Sequence, residues 1–533
     1  MKTKFMITAV IFFTAIFTGC SDSDKDLKDL SVKGINLSKS TISMKPGNTE
    51  TLTVTFFPEN AADKTISWES SDETIATVSS QGLVTAIKPG DATISATSND
   101  GGEKATCSVT VSYNDPVTVK GDVQGVWEKY TVINVTGHIN VPAGKTLSIE
   151  EGVEVIVSSA GQDENNTKIE ILVNGSLFCY GTEENPVTFT VPANERTTQN
   201  TFSRLWGGIV GSTTCEAIVF DNVIVEYTGA VTTRTSPTVV SGLFKPTGGE
   251  GMVAFNTNNP AGKYVIINSI FRNTGEDAIY VQGGSCIFVN NLFYAIGEAG
   301  GEAINVKAGC KVDAAFNVIY GSNTNALKFS NSGADGGARY QAQVNGYNNT
   351  IINSGWRRDP NKPKGGSGYF EEGCLVFVYN NLVVNCMFGM KAPDFGVDAA
   401  EGPDLNSKID YNYYASGTAQ SAVPQHISNG TITAHDGFKA NVKDVVYGEH
   451  DKRGNAAGEL DPKFVNFPFM ANPLLSYSFD KSWNFHLQAG SPALTGAKTD
   501  FSPYYSSTGI VINGKTYKSP LPAAYFGAFG TVN

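Results

Sequence analysis

Little in this chain suits a helical protein or a metalloenzyme. No stretch of the 533 residues repeats apolar side chains at helical spacing for long, so an amphipathic helix bundle is excluded. Histidine occurs five times (His138, His426, His435, His450, His486), never at metal-ligand spacing, and the eight cysteines form no CxxC or Cys/His pair. No metal site is therefore read from the sequence. Positive charge is also short: 39 Lys and Arg against 51 Asp and Glu leave a net charge of −12, which argues against nucleic acid as a partner. The one long apolar run, Phe5 to Phe17, is too short to span a bilayer. What is abundant is glycine, with 56 residues, and aromatic side chains at 11%. That balance suits tight turns around a packed all-β core.

A motif of asparagine, any residue and a bulky apolar residue occurs seven times, at Asn222/Ile224, Asn268/Ile270, Asn291/Phe293, Asn317/Ile319, Asn349/Ile351, Asn381/Val383 and Asn412/Tyr414. The asparagines are 46, 23, 26, 32, 32 and 31 residues apart, which is one or two turns of a coil of roughly 22 residues plus loops. Stacked coils bury their apolar faces only against neighbours, so the apolar column points inward and the asparagines form a hydrogen-bonded ladder. Together these features resemble the right-handed parallel β-helix, the architecture of many polysaccharide lyases, polygalacturonases and surface proteins. Cys286, Cys310 and Cys374, each a few residues before a ladder asparagine, are read as buried thiols rather than disulfides.

Residues 1–19 read as an export signal, with Lys2 and Lys4 before the apolar run. Phe17-Thr18-Gly19-Cys20 resembles a lipoprotein signal-peptidase box, with Phe17 where leucine is usual, and the acidic tether 20–30 resembles the surface-export signal of Bacteroidetes lipoproteins. The resemblance implies lipidation at Cys20 and a place on the outer membrane at the cell surface, a stable anchor if several acyl chains are attached.

Residues 31–112 alternate short strands with turns such as Lys45-Pro46-Gly47 and Lys88-Pro89-Gly90, the rhythm of a β-sandwich. The series Trp68-Glu69-Ser70-Ser71, Ile75-Ala76-Thr77-Val78, Gly82-Leu83-Val84-Thr85-Ala86 and Gly90-Asp91-Ala92-Thr93-Ile94 resembles the bacterial immunoglobulin-like group 2 domain, implying a spacer or adhesion module with Trp68 in its core. The fold expected is thus all-β, an Ig-like sandwich followed over 113–533 by a β-helix. Trp206 before Gly207-Gly208 reads as packing, and the segment from Asp461-Pro462-Lys463-Phe464 to Phe526-Gly527-Ala528-Phe529-Gly530 resembles the terminal segments of β-helix proteins and is expected to cap the last coil.

Function in a solenoid sits in outward side chains and loops. In one register Ile279, Ile304, Leu327 and Met390 turn inward, so Tyr280, Asn305, Lys328 and Lys391 project outward, with Asp277, Glu302 and Asn325 beside them. Coils stacked ~4.8 Å apart let the two carboxylates share a proton or a cation. No cofactor is called for; calcium is the cation such a pair can take, without a specific motif behind it. The basic loop around Trp356, Arg357 and Arg358 offers rings and guanidinium groups to an acidic glycan, or is a solvated loop with a local ion pair. Absence of an Asp-Asp pair and of Gly-His-Gly leaves the polygalacturonase pattern unmet. The expected function is capture of extracellular polysaccharide or host glycan by a lipid-anchored surface protein. A lyase or hydrolase of acidic glycans and a structural spacer are the alternatives.

Overall fold

The computed structural model describes residues 29–298, 300–357, 365–415, 444–454, 458–469 and 477–532, and the backbone of 424–428 and 431–434. It divides between Ser112 and Tyr113 into two compact units.

The first unit is a sandwich of short strands. Ile66–Ser70, Gly90–Ser98, Lys104–Val111 and Thr41–Met44 form one sheet, and Thr49–Thr51, Leu83–Ala86 and Ala76–Val78 form another. Alternation buries Ile42, Val84, Ile94, Val109 and Val111 between them, with Trp68 packed against that core. A methyl group on Gly82 would stand 2.7 Å from the Trp68 ring, so glycine there lets the indole lie flat on the turn.

The second unit is a parallel solenoid of three faces. Each coil contributes one strand to each face, as in Ile279–Val281, Gly284–Val289 and Leu292–Ile296. The second face is a sheet of ten parallel strands, while the first and third run together as one sheet of twenty because Val132–Val141 serves both. Its interior is a set of stacks. On the third face Ile133, Val155, Phe189, Val225, Phe271, Phe293, Ile319, Ile351, Val383 and Tyr414 follow one another in register, and all are buried. Trp206 is fully buried and donates its indole N–H to the Glu226 carbonyl at 2.8 Å. A methyl on Gly208 would meet the Val253 carbonyl at 2.1 Å, which explains the glycines that follow the tryptophan. All seven described cysteines are free and buried.

The asparagine repeat needs a correction of register. Asn291, Asn317, Asn349, Asn381 and Asn412 form the ladder, each amide donating to the next side-chain carbonyl at 2.9–3.0 Å. Asn222 and Asn268 do not belong to it. They occupy the preceding turn position, with φ of 55° and 53°, as do Asn290, Asn348 and Asn380. The ladder column continues there as Ser269, which bonds Asn291 Oδ1 through its backbone N–H and receives the Val223 N–H on its hydroxyl. Ile224 and Ile270 consequently face outward, and Val225 and Phe271 take the inward places.

The terminal segment is not placed as a cap over the last coil. It runs back along the outside of the coils, with Phe464, Phe485, Leu487 and Phe526 against the third face and Tyr505, Ile510, Ile512 and Tyr517 against the second. Asp313, in a middle coil, accepts the backbone N–H groups of Tyr504 and Tyr505 and the Ser519 hydroxyl. His486 is bonded to Asn484 and stacked on Phe529 within this sheath.

Candidate functional site

With the second and third faces sheathed, polar side chains gather on the first. Its outward column reads Leu172, Val210, Asn256, Tyr280, Asn305, Lys328, Tyr369 and Lys391, successive strand partners in a parallel sheet. Tyr280, Asn305, Lys328 and Lys391 therefore hold the register that the alternation of Ile279, Ile304, Leu327 and Met390 predicts, but Asn305, Lys328 and Lys391 are buried rather than open to solvent. Tyr369 fills the place that the sequence left open between Lys328 and Lys391. Its signal was weak because Gly368 stands at the inward position before it; a side chain there would collide with Met390 and Phe370.

Asp277 and Glu302 lie two residues before Ile279 and Ile304, which pair with each other, so the carboxyls meet across adjacent coils. They are hydrogen-bonded to one another. Asp277 Oδ1 accepts the backbone N–H groups of Gly301 and Glu302, both at 2.9 Å, and Oδ2 accepts the Asn305 amide at 2.9 Å. Glu302 Oε1 accepts the Asn325 amide at 3.1 Å. Burial, then the charge of Glu302, pushes Asp277 well above the usual carboxylate range. Burial also acts upward on Glu302, but the hydrogen bond from Asp277 and the positive charge of Lys328 outweigh it and hold this carboxyl low. The two carboxyls are thus pushed apart, Asp277 holding a proton more tightly than Glu302.

Lys328 is ion-paired with Glu371 of the next coil and lies 4.7 Å from the centre of the Tyr369 ring. Lys391 sits 4.7 Å from the Phe388 ring and Lys307 5.5 Å from that of Tyr280. Burial, followed by the Asp277 and Glu302 charges, pushes the Tyr280 hydroxyl up to about 12. Both amide groups that serve the acids leave a buried carbonyl oxygen, Asn305 Oδ1 and Asn325 Oδ1, without a hydrogen-bond partner in the protein. Chemically the floor holds a carboxyl pair and ring faces, while the two unpartnered amide oxygens are closed off from solvent beneath it. Every oxygen of Asp277 already faces a donor, and a lysine stands beside Glu302. That donor set does not suit a hard cation. Among the described residues no group of three or more His, Cys, Asp and Glu side chains is placed to hold a metal.

Trp356 and Arg357, the described start of the basic loop, do not join this site. Trp356 is 3% exposed, packs on Met387 and Phe388 and donates its indole N–H to the Asn385 carbonyl. Arg357 donates to the carbonyls of Gly297, Ile296 and Gly321 at 2.6–2.9 Å and lies 4.8 Å from the Phe202 ring. Burial pulls its guanidinium down to about 10. Both residues tie neighbouring loops together instead of facing a glycan, because backbone carbonyls left open at the turns take guanidinium and indole donors. Arg358 lies outside the described residues.

Comparison with known proteins bears on the two units separately. Residues 31–109 match the family model described as a bacterial Ig-like domain (group 2), and residues 118–222 match that of a pectate-lyase like beta helix domain. An Alpha-L-arabinofuranosidase of Bifidobacterium longum subsp. longum is 38% identical over 82 residues, which are 15% of this chain and 8% of that protein. A 3-O-alpha-D-galactosyl-alpha-L-arabinofuranosidase of the same subspecies is 39% identical over 89 residues, again 15% and 8%. A Lacto-N-biosidase of Bifidobacterium bifidum is 35% identical over 88 residues, 16% of this chain and 8% of its own length. The chain spans under a tenth of these three relatives, an extent no greater than one small domain.

Proposed function

We propose that this is an extracellular carbohydrate-engaging protein whose solenoid receives a glycan on its first face. The observation that carries the reading is the floor between Asn256 and Lys391. Tyrosines, amides, lysines and a hydrogen-bonded acid pair lie along it, groups that match the hydroxyls and ring faces of a sugar chain. Support comes also from the curated relatives, three of which are named as glycosidases. Binding to immobilised polygalacturonate, arabinan and alginate, measured for the wild-type chain and for Tyr280→Ala and Asn305→Ala, tests it. Wild-type binding lowered at least about tenfold in the variants is expected, equivalent to ~1.4 kcal/mol; absence of binding to any glycan in the panel, or equal binding by all three proteins, overturns it.

A second reading, a lyase or hydrolase of acidic glycans, is favoured by one feature, the hydrogen-bonded carboxyls of Asp277 and Glu302 beside Lys328, one raised and one held low. Such a pair can give a proton to a leaving oxygen and take one back. New reducing ends or unsaturated products, abolished by Glu302→Gln, distinguish turnover from capture.

We further infer that the chain is held at the cell surface through acyl chains on Cys20, on the strength of the lipoprotein-like box and the acidic tract after it. Cys20 and residues 1–28 lie outside the described residues. Cys20→Ala is expected to move the protein from the membrane to the soluble fraction; continued membrane association refutes the anchor.

A further inference from the structure

The outward column of the first face has a built end. Upstream of Asn256 the outward column turns apolar, with Leu172 and Val210, and both are buried under Met252 and Leu243 of the loop 228–254. That loop is held on both sides of its crossing. At its base Thr232 and Glu250 bond each other's backbone, and Met252 N–H donates to the Ala230 carbonyl at 2.9 Å. Beyond the face, the Thr238 N–H donates to buried Glu170 Oε2 at 2.9 Å, and the hydroxyls of Thr233 and Thr235 lie 2.5 and 2.7 Å from that of Thr167. Glu170 is 1% exposed, so its carboxyl is committed to the loop. Where the loop ends its crossing, a cavity of about 280 Å³ opens between Phe244, Lys245 and Glu250 above and Asn256, Tyr280 and Gln282 below. Tyr280, in the floor of the cavity, is on the strand that follows Asp277, and Glu276 lies against Gly251 on the loop side.

We propose that the first-face groove is blind at this end and that the cavity under loop 228–254 takes the terminal sugar of a glycan, so that the protein recognises chain ends rather than chain interiors. The proposal rests on the reading of the first face as a glycan groove. An extended polymer lying on the floor cannot continue past Asn256, because Leu243 and Met252 occupy its path over Val210. A cavity of this size, at the lower edge of small-ligand pockets, holds one ring and little more. Its rim of amide, phenol, ammonium and carboxylate groups can bond the hydroxyls that only a terminal residue presents on its free side.

Chain length is the measurement that separates the two modes. Polygalacturonate, arabinan and alginate, each fractionated to narrow sizes, are titrated into the wild-type chain at matched mass concentrations. With end recognition, a tenfold longer chain needs about tenfold more mass for half-saturation, since ends per gram fall tenfold. A half-saturating mass that does not change with chain length overturns the blind groove while leaving glycan binding in place. Binding to none of the panel overturns both. A variant in which residues 235–248 are replaced by Gly-Asn-Gly, closing on the Thr232–Glu250 base, together with Met252→Ala, removes both side chains over Val210 and is expected to abolish the length dependence. Should that variant not fold, the length series on the wild type still decides.

Discussion

Asn349 makes four hydrogen bonds through one small side chain, and its backbone N–H donates a fifth to Asn381 Oδ1. Its amide donates to the Ala314 carbonyl and to Asn381 Oδ1, and its Oδ1 accepts the amide and the backbone N–H of Asn317. Removing it leaves buried donors and acceptors on two coils unmatched, so Asn349→Ala is expected to lower unfolding stability by about 2–4 kcal/mol. Asn222→Ala, at a turn with positive φ outside the ladder, is expected to lower it by about 1 kcal/mol. Urea unfolding of the two variants compares these; equal losses would contradict the separation of the two asparagine columns. The acid pair gives a second prediction at this scale. A carboxyl raised in the folded state, as Asp277 is by burial and by Glu302, binds its proton more tightly there than in the unfolded chain. Its contribution is full below the ordinary carboxylate range and fades as pH rises through the folded value. Asp277→Asn has no proton to lose, and its new N–H can meet the orphan Asn305 carbonyl once that amide rotates. Melting temperature is therefore expected to fall more steeply in the wild type than in Asp277→Asn as pH rises above the ordinary carboxylate range; parallel slopes would refute the raised Asp277 carboxyl.

Elements were legible in the sequence to different depths, and the differences have physical causes. The inward stacks and the ladder announce themselves because burial permits few residue types at each place, and Asn317 to Asn412 recur with that regularity. Two members were misassigned because the turn position with positive φ and the ladder position are adjacent and both favour asparagine. Asn222-Val223-Ile224 thus imitates Asn317-Val318-Ile319 one residue out of register. The outward column could be placed from the alternation of its neighbours, except at Tyr369, where Gly368 carried no apolar signal. Trp356 and Arg357 were misread for another reason: side-chain charge does not reveal that backbone carbonyls of Ile296, Gly297 and Gly321 will claim the guanidinium. The terminal segment looked like a cap because a lateral sheath and a cap both require aromatic residues between turns. Its attachment can be tested at Asp313, whose buried carboxylate receives Asn345 Nδ2, Ser519 Oγ and two backbone N–H groups of the sheath. Asp313→Ala is expected to loosen residues 498–520 at a cost of about 3 kcal/mol. Limited proteolysis should then cut within 498–520 at least about tenfold faster while the coils stay resistant; an unchanged cleavage rate would count against the sheath.

At the scale of the whole molecule, a solenoid is held by nearest-neighbour contacts, so its last coil is the place where a local weakness can start unfolding. The ladder ends there on a carboxylate. Asp451 Oδ1 accepts the backbone N–H of Asn412 at 2.6 Å and Oδ2 that of Gly448 at 2.8 Å, so the last ladder asparagine leans on a group that titrates. Burial raises this carboxyl from 3.8 to about 7 against the pull of those two N–H bonds. Because the folded value lies above the unfolded one, the proton favours the folded end: stability is full below about pH 4 and is lost as pH rises towards about 7, by at most about 4 kcal/mol at 1.36 kcal/mol per unit. Ionised Asp451 should therefore loosen the strand Tyr413–Ala415 and its partner Lys452–Arg453 before the middle coils open. Asp451→Asn keeps the acceptor for Asn412 and has no proton to release. Thermolysin cleavage between residues 412 and 454 is expected to quicken from about pH 5.5 to about pH 8 in the wild type beyond the protease's own pH dependence, and to show no such excess in Asp451→Asn. An excess of equal size in both proteins would place the pH-sensitive group elsewhere and remove Asp451 from the control of the solenoid's end.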